Sequence, residues 1–297
     1  MKYALIEAER GELPVKRACR TLHVSVSGYY GWQQRRQAAV EHGDEAALVA
    51  QIQAVFAESR GTYGSPRVSA ALRQAGVVCN RKRVARLMRK HHLVAKHRRQ
   101  RRVKTTDSRH PFPIAPNRLQ REFSAERPNE KWVADFTYID TAEGWLYLAL
   151  LLDVFSRKIV GWAMENHMEA SLVEQALRMA LTQRHPKPND LLHHSDRGGQ
   201  YASLTYQQLL AAHHVTVSMS NTADPYDNAL MESCIGTLKT ECADHRFPSR
   251  QAARTELFAY LEGWYNRRRL HSALGYLSPD QFEHRFIQDK LLFRSMG

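Results

Sequence analysis

Three strand-like runs lie one after another in the middle of the chain, and they constrain the fold more than any other feature. Residues 131–139, 145–153 and 157–164 are rich in Val, Ile, Leu and aromatic side chains, and short turns separate them. Runs joined in this way predict an antiparallel meander. Helical and strand patterns then alternate, with helices predicted over 170–183, 204–213 and 227–242 and strands over 190–195 and 215–219. This order predicts a mixed five-stranded α/β sheet flanked by helices.

The first 40 residues have the pattern of short helices joined by a tight turn. Pro14 suits a helix start, and Ser25 can cap the helix that follows the turn. His23 stands in that turn, and His tolerates a left-handed backbone better than most residues. A helix-turn-helix and a plain helical hairpin both fit this pattern. In the helix-turn-helix, the start of the second helix meets DNA, so the candidate DNA contacts are Ser25, Ser27 and Tyr29.

A second helical unit is predicted from about residue 44, and it carries the densest positive charge of the chain. Asn80 can cap its third helix, whose exposed face is basic. Basic residues continue past residue 96 into a proline-containing linker that ends at residue 128. Such a segment suits phosphate binding, which needs positive charge but no base contacts. The candidate DNA contacts here are Arg81, Lys82, Arg83, Arg98, Arg99, Arg101 and Arg102.

The net charge of +13 is concentrated at the front of the chain. Residues 1–110 hold 23 Lys and Arg against 8 Asp and Glu, whereas residues 111–297 are close to neutral. This asymmetry favours a nucleic-acid-binding front over a merely solvated basic surface. The longest apolar run, 145–152, is far too short to cross a bilayer, and the N-terminus has no apolar signal segment. The four cysteines have no zinc-binding spacing and are interpreted as reduced thiols rather than disulfides. Together these features predict a cytoplasmic protein.

Three acidic residues stand where each of them needs an explanation. Asp135 interrupts an apolar strand, Asp196 ends the strand predicted over 190–195, and Glu232 lies among apolar neighbours in the last helix. Converging carboxylates repel one another unless cations neutralise them, and oxygen ligands suit Mg²⁺ or Mn²⁺. Without further information, a helix cap or a surface ion pair explains each of these acids as well as metal binding does. Four further acids, Asp140, Asp153, Asp224 and Asp227, are interpreted as structural residues at strand ends, in turns and at the cap of the last helix.

Five segments carry a family resemblance: WVADFTYI, LLDVFSRKIVGW, HHSDRGGQY, SMSNTADPYDNALMESCIGTLKTE and YNRRRLHSALGYLSPDQF. In this order they resemble the catalytic core of bacterial transposases of the insertion-sequence-three family, which are relatives of retroviral integrases. The helical segments before them resemble the DNA-binding region of the same transposases. The resemblance implies a multidomain chain with an all-α front and an RNase H-like integrase core. Its expected parts are a helix-turn-helix (1–40), a second helical DNA-binding domain (41–95), a linker (96–128) and the core with a C-terminal helical tail (129–297).

The resemblance also implies site residues. The family triad is Asp, Asp and Glu with 35 residues between the last two, and Asp135, Asp196 and Glu232 match it in spacing and neighbours. These three would be both the catalytic residues and the ligands of two Mg²⁺ or Mn²⁺ ions. The family places a basic residue seven positions after the glutamate to hold DNA, and Lys239 occupies that position, about 10.5 Å from Glu232 along the helix.

The resemblance finally implies a function. The chain would bind the terminal inverted repeats of a mobile element and catalyse metal-dependent DNA cleavage and strand transfer, at the bacterial nucleoid. Its partners would be element and target DNA, at least one further copy of itself, and an upstream reading-frame product. A DNA-binding regulator with an inactive core and a ribonuclease for RNA:DNA hybrids are the alternatives. The intact triad argues against the first, and the two-part DNA-binding front argues against the second.

Overall fold

A computed structural model describes residues 2–96, 110–222 and 224–295 of the chain. Its elements follow the predicted order, with a helical front before a sheet-containing body. The candidate contacts Arg98, Arg99, Arg101 and Arg102 lie outside the described residues. The front contains α1 (Lys2–Ala8), α2 (Val15–Thr21), α3 (Val26–Glu58), α4 (Ser65–Gln74) and α5 (Arg81–Lys90).

The turn between α2 and α3 has the backbone that the sequence predicts. His23 has a φ of 50°, which lies in the left-handed region. The Ser25 hydroxyl accepts a hydrogen bond from the Gly28 amide at 3.0 Å and so caps α3. Buried side chains from all three helices, among them Ile6, Cys19 and Tyr29, form one small core.

Helix α3 is longer than the sequence predicts. It runs without interruption from Val26 to Glu58, so the second helical unit, predicted from about residue 44, begins within this helix rather than with a helix of its own. Gly31 and Gly43 weaken a helix in this stretch, but neither removes a backbone hydrogen-bond donor as a proline would. The first helical unit is therefore joined to the second by a continuous helix. The domain boundary at residue 40 stays a prediction.

The second helical core lies between α3, α4 and α5. Asn80 accepts a hydrogen bond from the Lys82 amide at 2.8 Å and caps α5, as predicted. Leu270, from the C-terminal part of the chain, joins this core. The Leu270 amide also donates to the Tyr63 hydroxyl at 2.7 Å, so the helical unit is docked on the body. The core is lined chiefly by Ile52, Val68, Leu72, Val84, Leu87 and Met88.

The body is built on a five-stranded sheet with the strand order β3-β2-β1-β4-β5. Strand β1 is antiparallel to β2, and β2 is antiparallel to β3, whereas β4 is parallel to both β1 and β5. The predicted meander and the mixed sheet are both confirmed. The strands are β1 (Lys131–Ile139), β2 (Leu146–Asp153), β3 (Ile159–Glu165), β4 (Leu192–Ser195) and β5 (Thr216–Met219).

Helices cover both faces of this sheet. Side chains of β1 alternate between the faces, so Trp132 and Phe136 enter one core and Val133 and Ile139 the other. Asp135 therefore shares the face of Val133 and Ile139, over which α9 and α10 pack. No helix within residues 2–96, 110–222 and 224–295 is long and apolar enough to cross a membrane. The helices of the body are α6 (Ala170–Arg184), α7 (Gly199–Ala202), α8 (Leu204–Ala212), α9 (Ala229–Glu241), α10 (Arg250–Phe258) and α11 (Pro279–Ser295), with a π-helical turn over Ala259–Tyr265.

Candidate active site

Asp135 and Asp196 lie on neighbouring parallel strands. Asp135 belongs to β1, and Asp196 directly follows the last residue of β4. The register pairs Val133 with His194, so each acid stands two residues beyond the same row of the sheet. The parallel pairing of β1 and β4 thus brings two of the three predicted acids to neighbouring positions.

The surroundings of Asp135 hold its pKa well above the ordinary value. Burial is the largest cause, the negative charge of Asp196 is the second, and the charge of Glu232 acts in the same direction. The Phe136 amide donates a hydrogen bond to Asp135 at 2.8 Å, and Lys239 also favours the charged form. These two effects do not outweigh the others. The three predicted acids therefore act on one another electrostatically.

The loop after β4 closes around Asp196. Asp196 Oδ1 accepts a hydrogen bond from the Gly198 amide at 2.9 Å. A Cβ atom at Gly198 would lie 3.0 Å from the same oxygen, tighter than most real contacts. Glycine at this position therefore lets the backbone approach the carboxylate closely.

Glu232 lies in the first turn of α9, and the start of this helix is fastened to β1. The Asn228 side chain donates a hydrogen bond to the Ala134 carbonyl at 3.1 Å, one residue before Asp135. Both groups are buried, so the bond fixes where α9 leaves the sheet. Glu232 itself is exposed and is accessible to a ligand from solvent.

Lys239, near the end of α9, packs against β1, the strand that carries Asp135. Its ammonium lies 4.5 Å from the centre of the Tyr138 ring, and that ring packs edge-on against Trp145. Burial lowers the pKa of Lys239, whereas the charge of Asp135 opposes this shift. Lys239 is therefore held close to the acids.

The acids around Asp135 are chemically suited to a hard divalent cation. Within residues 2–96, 110–222 and 224–295, no group of three or more His, Cys, Asp or Glu side chains is arranged as a metal site. The donors are nevertheless all carboxylate oxygens, which Mg²⁺ and Mn²⁺ prefer over soft ligands. The repulsion that raises the pKa of Asp135 is also the effect that a bound cation relieves.

His193 and His194, next to Asp196, are packing residues. Both are fully buried in β4. His193 shares a hydrogen bond with the Tyr206 hydroxyl at 2.9 Å, and His194 contacts the hydroxyls of Ser218 and Ser220 at 2.8 and 3.1 Å. Burial lowers the pKa of His193 to about 3 and that of His194 to about 4. Both rings are therefore neutral at physiological pH.

Asp227 does not cap α9, contrary to the prediction. Asn228 stands at the cap position, and Asp227 accepts hydrogen bonds from the Asn221 amide at 2.7 Å, Asn117 at 2.9 Å and Arg121 at 3.1 Å. Burial acts to raise the pKa of Asp227, but the bonds from Asn221 and the bond and charge of Arg121 outweigh it and hold the pKa below the ordinary value. Sequence reasoning missed Asn117 and Arg121, because contacts across more than 100 residues leave no local pattern.

The first turn of α5 presents the predicted basic surface. Arg81, Lys82 and Arg83 are all exposed there. Further along the helix, Arg86 and Lys90 each pair with Glu45 at 2.8 Å. Part of the basic face is thus neutralised within the protein, and the first turn remains a candidate phosphate-binding surface.

The start of α3 agrees only partly with the predicted DNA contacts. Ser27 is exposed in the first turn, and the Ser25 hydroxyl is engaged as the helix cap. Tyr29 is fully buried and donates a hydrogen bond to Glu7. Its ring fills the core between α1, α2 and α3 and cannot reach DNA from there. The prediction that Tyr29 contacts DNA is therefore wrong.

Family models match most of the chain. Two models described as "Integrase core domain" match residues 125–225 and 213–279, and one described as "HTH-like domain" matches residues 43–101. The first includes Asp135 and Asp196, and the second includes Glu232 and Lys239. The third covers α4 and α5.

Two curated proteins are similar over almost their whole length. The transposase InsF for insertion sequence IS3A of Escherichia coli (strain K12) is 42% identical over 293 residues, which cover 96% of this chain and 99% of the relative. An uncharacterized 31 kDa protein of insertion element IS600 from Shigella sonnei is 42% identical over 91% of this chain and 98% of its own length. Among solved structures, a chain of the simian T-cell lymphotropic virus intasome in complex with PP2A regulatory subunit B56 gamma aligns with a TM-score of 0.46 and 18% identity, over 73% of this chain and 70% of that one. The identity to InsF along both chains shows that this chain belongs to the IS3 family of insertion-sequence transposases.

Proposed function

We propose that the chain binds the terminal inverted repeats of its insertion sequence and catalyses Mg²⁺-dependent strand cleavage and strand transfer. The observation that carries this proposal is that Asp135 in β1 stands beside Asp196, which follows the neighbouring parallel strand, and that both Asp196 and Glu232 act electrostatically on it. A poorly solvated acid in the field of other acids is typical of a catalytic site that cations complete. Membership of a transposase family supports the same reaction class.

In this proposal Asp135, Asp196 and Glu232 are the catalytic residues and hold two Mg²⁺ or Mn²⁺ ions. When bound, the ions activate the attacking oxygen and stabilise the leaving oxygen of the phosphodiester. Lys239 holds a phosphate beside the cleaved bond, since its ammonium is fixed over the Tyr138 ring close to Asp135. The reaction is a polynucleotidyl transfer, hydrolysis followed by transesterification, and no protein side chain becomes covalently bound to DNA.

The helical front supplies the DNA-binding surface in this proposal. Arg81, Lys82 and Arg83 bind phosphates, and Ser25 and Ser27 stand at the start of the helix that would meet DNA. The basic segment with Arg98, Arg99, Arg101 and Arg102 extends this surface along the duplex.

The proposed reaction also determines how many protomers and which partners are needed. Joining two element ends requires at least two protomers on DNA, and an upstream reading-frame product is a further candidate partner. Binding to chromosomal DNA would place the protein at the nucleoid.

The decisive experiment is strand cleavage and joining on a labelled duplex that carries the element's own terminal repeat. We expect nicking at the repeat boundary in Mg²⁺ or Mn²⁺ and none with a chelator. E232Q should abolish nicking and keep repeat binding, because the basic surfaces are unchanged. E126Q, which alters an exposed acid outside the site, is the matched control and should cleave like the wild type.

Two other outcomes would overturn parts of the proposal. Repeat binding without cleavage in any metal would favour the DNA-binding regulator with an inactive core. Full cleavage by E232Q would remove Glu232 from the site.

A further inference from the structure

The segment before β1 lies across the loop that carries Asp196 and the loop that leads into α9, the helix of Glu232. Residues 110–121, here called the strap, have no regular secondary structure, yet they pack on the body. Phe112 and Ala115 contact the core on one face of the sheet, and Leu119 is buried in the core on the other. The strap therefore crosses an edge of the sheet from one core to the other.

One end of the strap is fastened to the loop after β4. His110 Nε2 donates a hydrogen bond to the Arg197 carbonyl at 2.8 Å, and a Cβ atom added at Gly199 would lie 3.6 Å from its ring. Arg197 directly follows Asp196. Its side chain also bonds to the Ser220 carbonyl and to the Thr222 hydroxyl, in the loop that leads to α9. The loops on either side of the site are thus linked through Arg197.

The other end of the strap holds the loop before α9. Arg121 donates to Asp227 at 3.1 Å and also pairs with Asp224, while Asn117 donates to the second oxygen of Asp227 at 2.9 Å. The guanidinium of Arg121 lies 5.7 Å from the centre of the Tyr226 ring. Arg121 therefore contacts three residues of the short stretch that leads into the helix of Glu232.

The middle of the strap fixes the direction from which Arg121 approaches. The Ser218 hydroxyl accepts hydrogen bonds from the amides of Arg118 at 2.9 Å and Leu119 at 3.2 Å. The next two residues, Gln120 and Arg121, have φ of 49° and 62°. Two successive non-glycine residues in the left-handed region persist only where surrounding contacts hold them.

We propose that Arg121 is a positioning residue for strand cleavage, which sets the loop before α9 and thereby the place of Glu232. This inference rests on the proposed function of the acids. Asp227 transmits the effect, because it also accepts the Asn221 amide at 2.7 Å and lies one residue before the Asn228 anchor on β1. His110 holds the loop of Asp196 from the other end of the same strap.

The test compares R121A, R121K and R118A with the wild type. Arg118 is the matched control, because it is an exposed arginine of the same strap and its side chain forms no ion pair within the described residues. R121K guards against loss of folding, since lysine keeps a charge beside Asp227 but cannot bond to two carboxylates as a fork.

Four quantities are measured on the full chain: the melting temperature, hydrogen exchange of residues 221–232, Mn²⁺ binding by titration, and cleavage at a range of Mn²⁺ concentrations. We expect R121A to exchange faster over residues 221–232 and to bind Mn²⁺ more weakly. Its cleavage rate should fall about 10-fold to 100-fold, the range that misplacement of a reacting group produces. DNA affinity in a chelator should stay within about twofold of the wild type, because the basic helical front is intact.

R121K should fall between R121A and the wild type, and R118A should match the wild type in every readout. Faster exchange in R121A with unchanged Mn²⁺ binding and cleavage would make Arg121 a purely structural contact and overturn the inference. Unchanged exchange would overturn it as well. A wild type that neither binds Mn²⁺ nor cleaves would instead refute the proposed function, and the inference would fall with it.

Discussion

Two aspartates on neighbouring strands of one sheet, Asp153 fully buried and Asp135 half-buried, have opposite surroundings. Asp135 lies in β1 and Asp153 ends β2, and burial raises the pKa of both. Arg184 pairs with Asp153 at 3.2 Å, and the amides of Asn129 and Phe155 donate to its two oxygens at 2.8 and 3.0 Å. Asp153 is thus compensated within the protein.

Among the residues that the structure describes, Asp135 has no equivalent set of partners. The Phe136 amide donates a hydrogen bond to it, but the largest charge effects on its pKa come from the acids Asp196 and Glu232. Lys239 offsets this repulsion only in part. A buried acid that the fold compensates, such as Asp153, serves structure, whereas a poorly solvated acid left in a negative field, such as Asp135, is suited to a cation and to function.

The largest expected effect concerns Asp135. D135N should reduce strand cleavage by at least about 10³-fold, the scale on which loss of a group that stabilises the transition state acts. The melting temperature without metal should stay equal or rise, because a neutral amide removes the repulsion from Asp196 and Glu232. A cleavage assay paired with thermal unfolding tests both statements. Retained cleavage, or a large loss of stability, would make Asp135 another structural acid like Asp153.

The next effect is a loss of stability at Asp153. R184A leaves a buried carboxylate without its cation, and the free energy of unfolding should fall by about 3–5 kcal/mol. Urea denaturation at neutral pH measures the change. R178A is the matched control, since Arg178 is an exposed arginine of the same helix, and it should leave the urea midpoint unchanged. A small effect of R184A would mean that Asp153 is not held by this ion pair.

Sequence patterns predicted the elements that local periodicity determines. β1 was predicted over 131–139 and occupies Lys131–Ile139, because its β-branched and aromatic residues form one run within the strand itself. Motif spacing likewise singled out Asp135, Asp196 and Glu232. The continuity of helix α3 was not predicted, because the amphipathic pattern of the second helical unit is local and is the same whether or not a helix already precedes it.

The difference between Asp135 and Asp153 could not be predicted from local patterns. Each is an acid within or at the end of an apolar strand, and Arg184, which compensates Asp153, lies 31 residues away in the chain. Asp227 gives the same lesson, since its partner Arg121 comes from the segment before the sheet. Ion pairs across elements are set by tertiary packing, which periodicity does not record.

A smaller effect is the pH dependence of stability at Asp153. Burial raises the pKa of Asp153 from 3.8 to about 6 in the folded protein. The group therefore contributes stability that is complete below about pH 4 and is lost as the pH rises through 6. Relative to D153N, which cannot titrate here, the wild type should lose about 3 kcal/mol of unfolding free energy between pH 4 and 7.

The D153N reference is suitable because Arg184 keeps its second acid. Glu283 pairs with Arg184 at 2.8 Å, so the guanidinium stays compensated in the variant. Urea titrations of both proteins at each pH give the difference. A difference that does not change with pH would show that Arg184 holds Asp153 ionised over this whole range.

The smallest effect is expected at Asp190, which resembles Asp153 in being an acid beside a strand and paired with an arginine. Arg127 contacts Asp190 at 2.9 Å, but both side chains are more than a third exposed. Water already solvates these charges, and an exposed pair adds little to folding. D190N should therefore shift the urea midpoint by no resolvable amount at low or high salt. A shift as large as that of R184A would mean that losing an ion pair lowers the stability of this sheet whether or not the acid is buried. The contrast between Asp135 and Asp153 would then depend only on which groups pair with them, and not on burial.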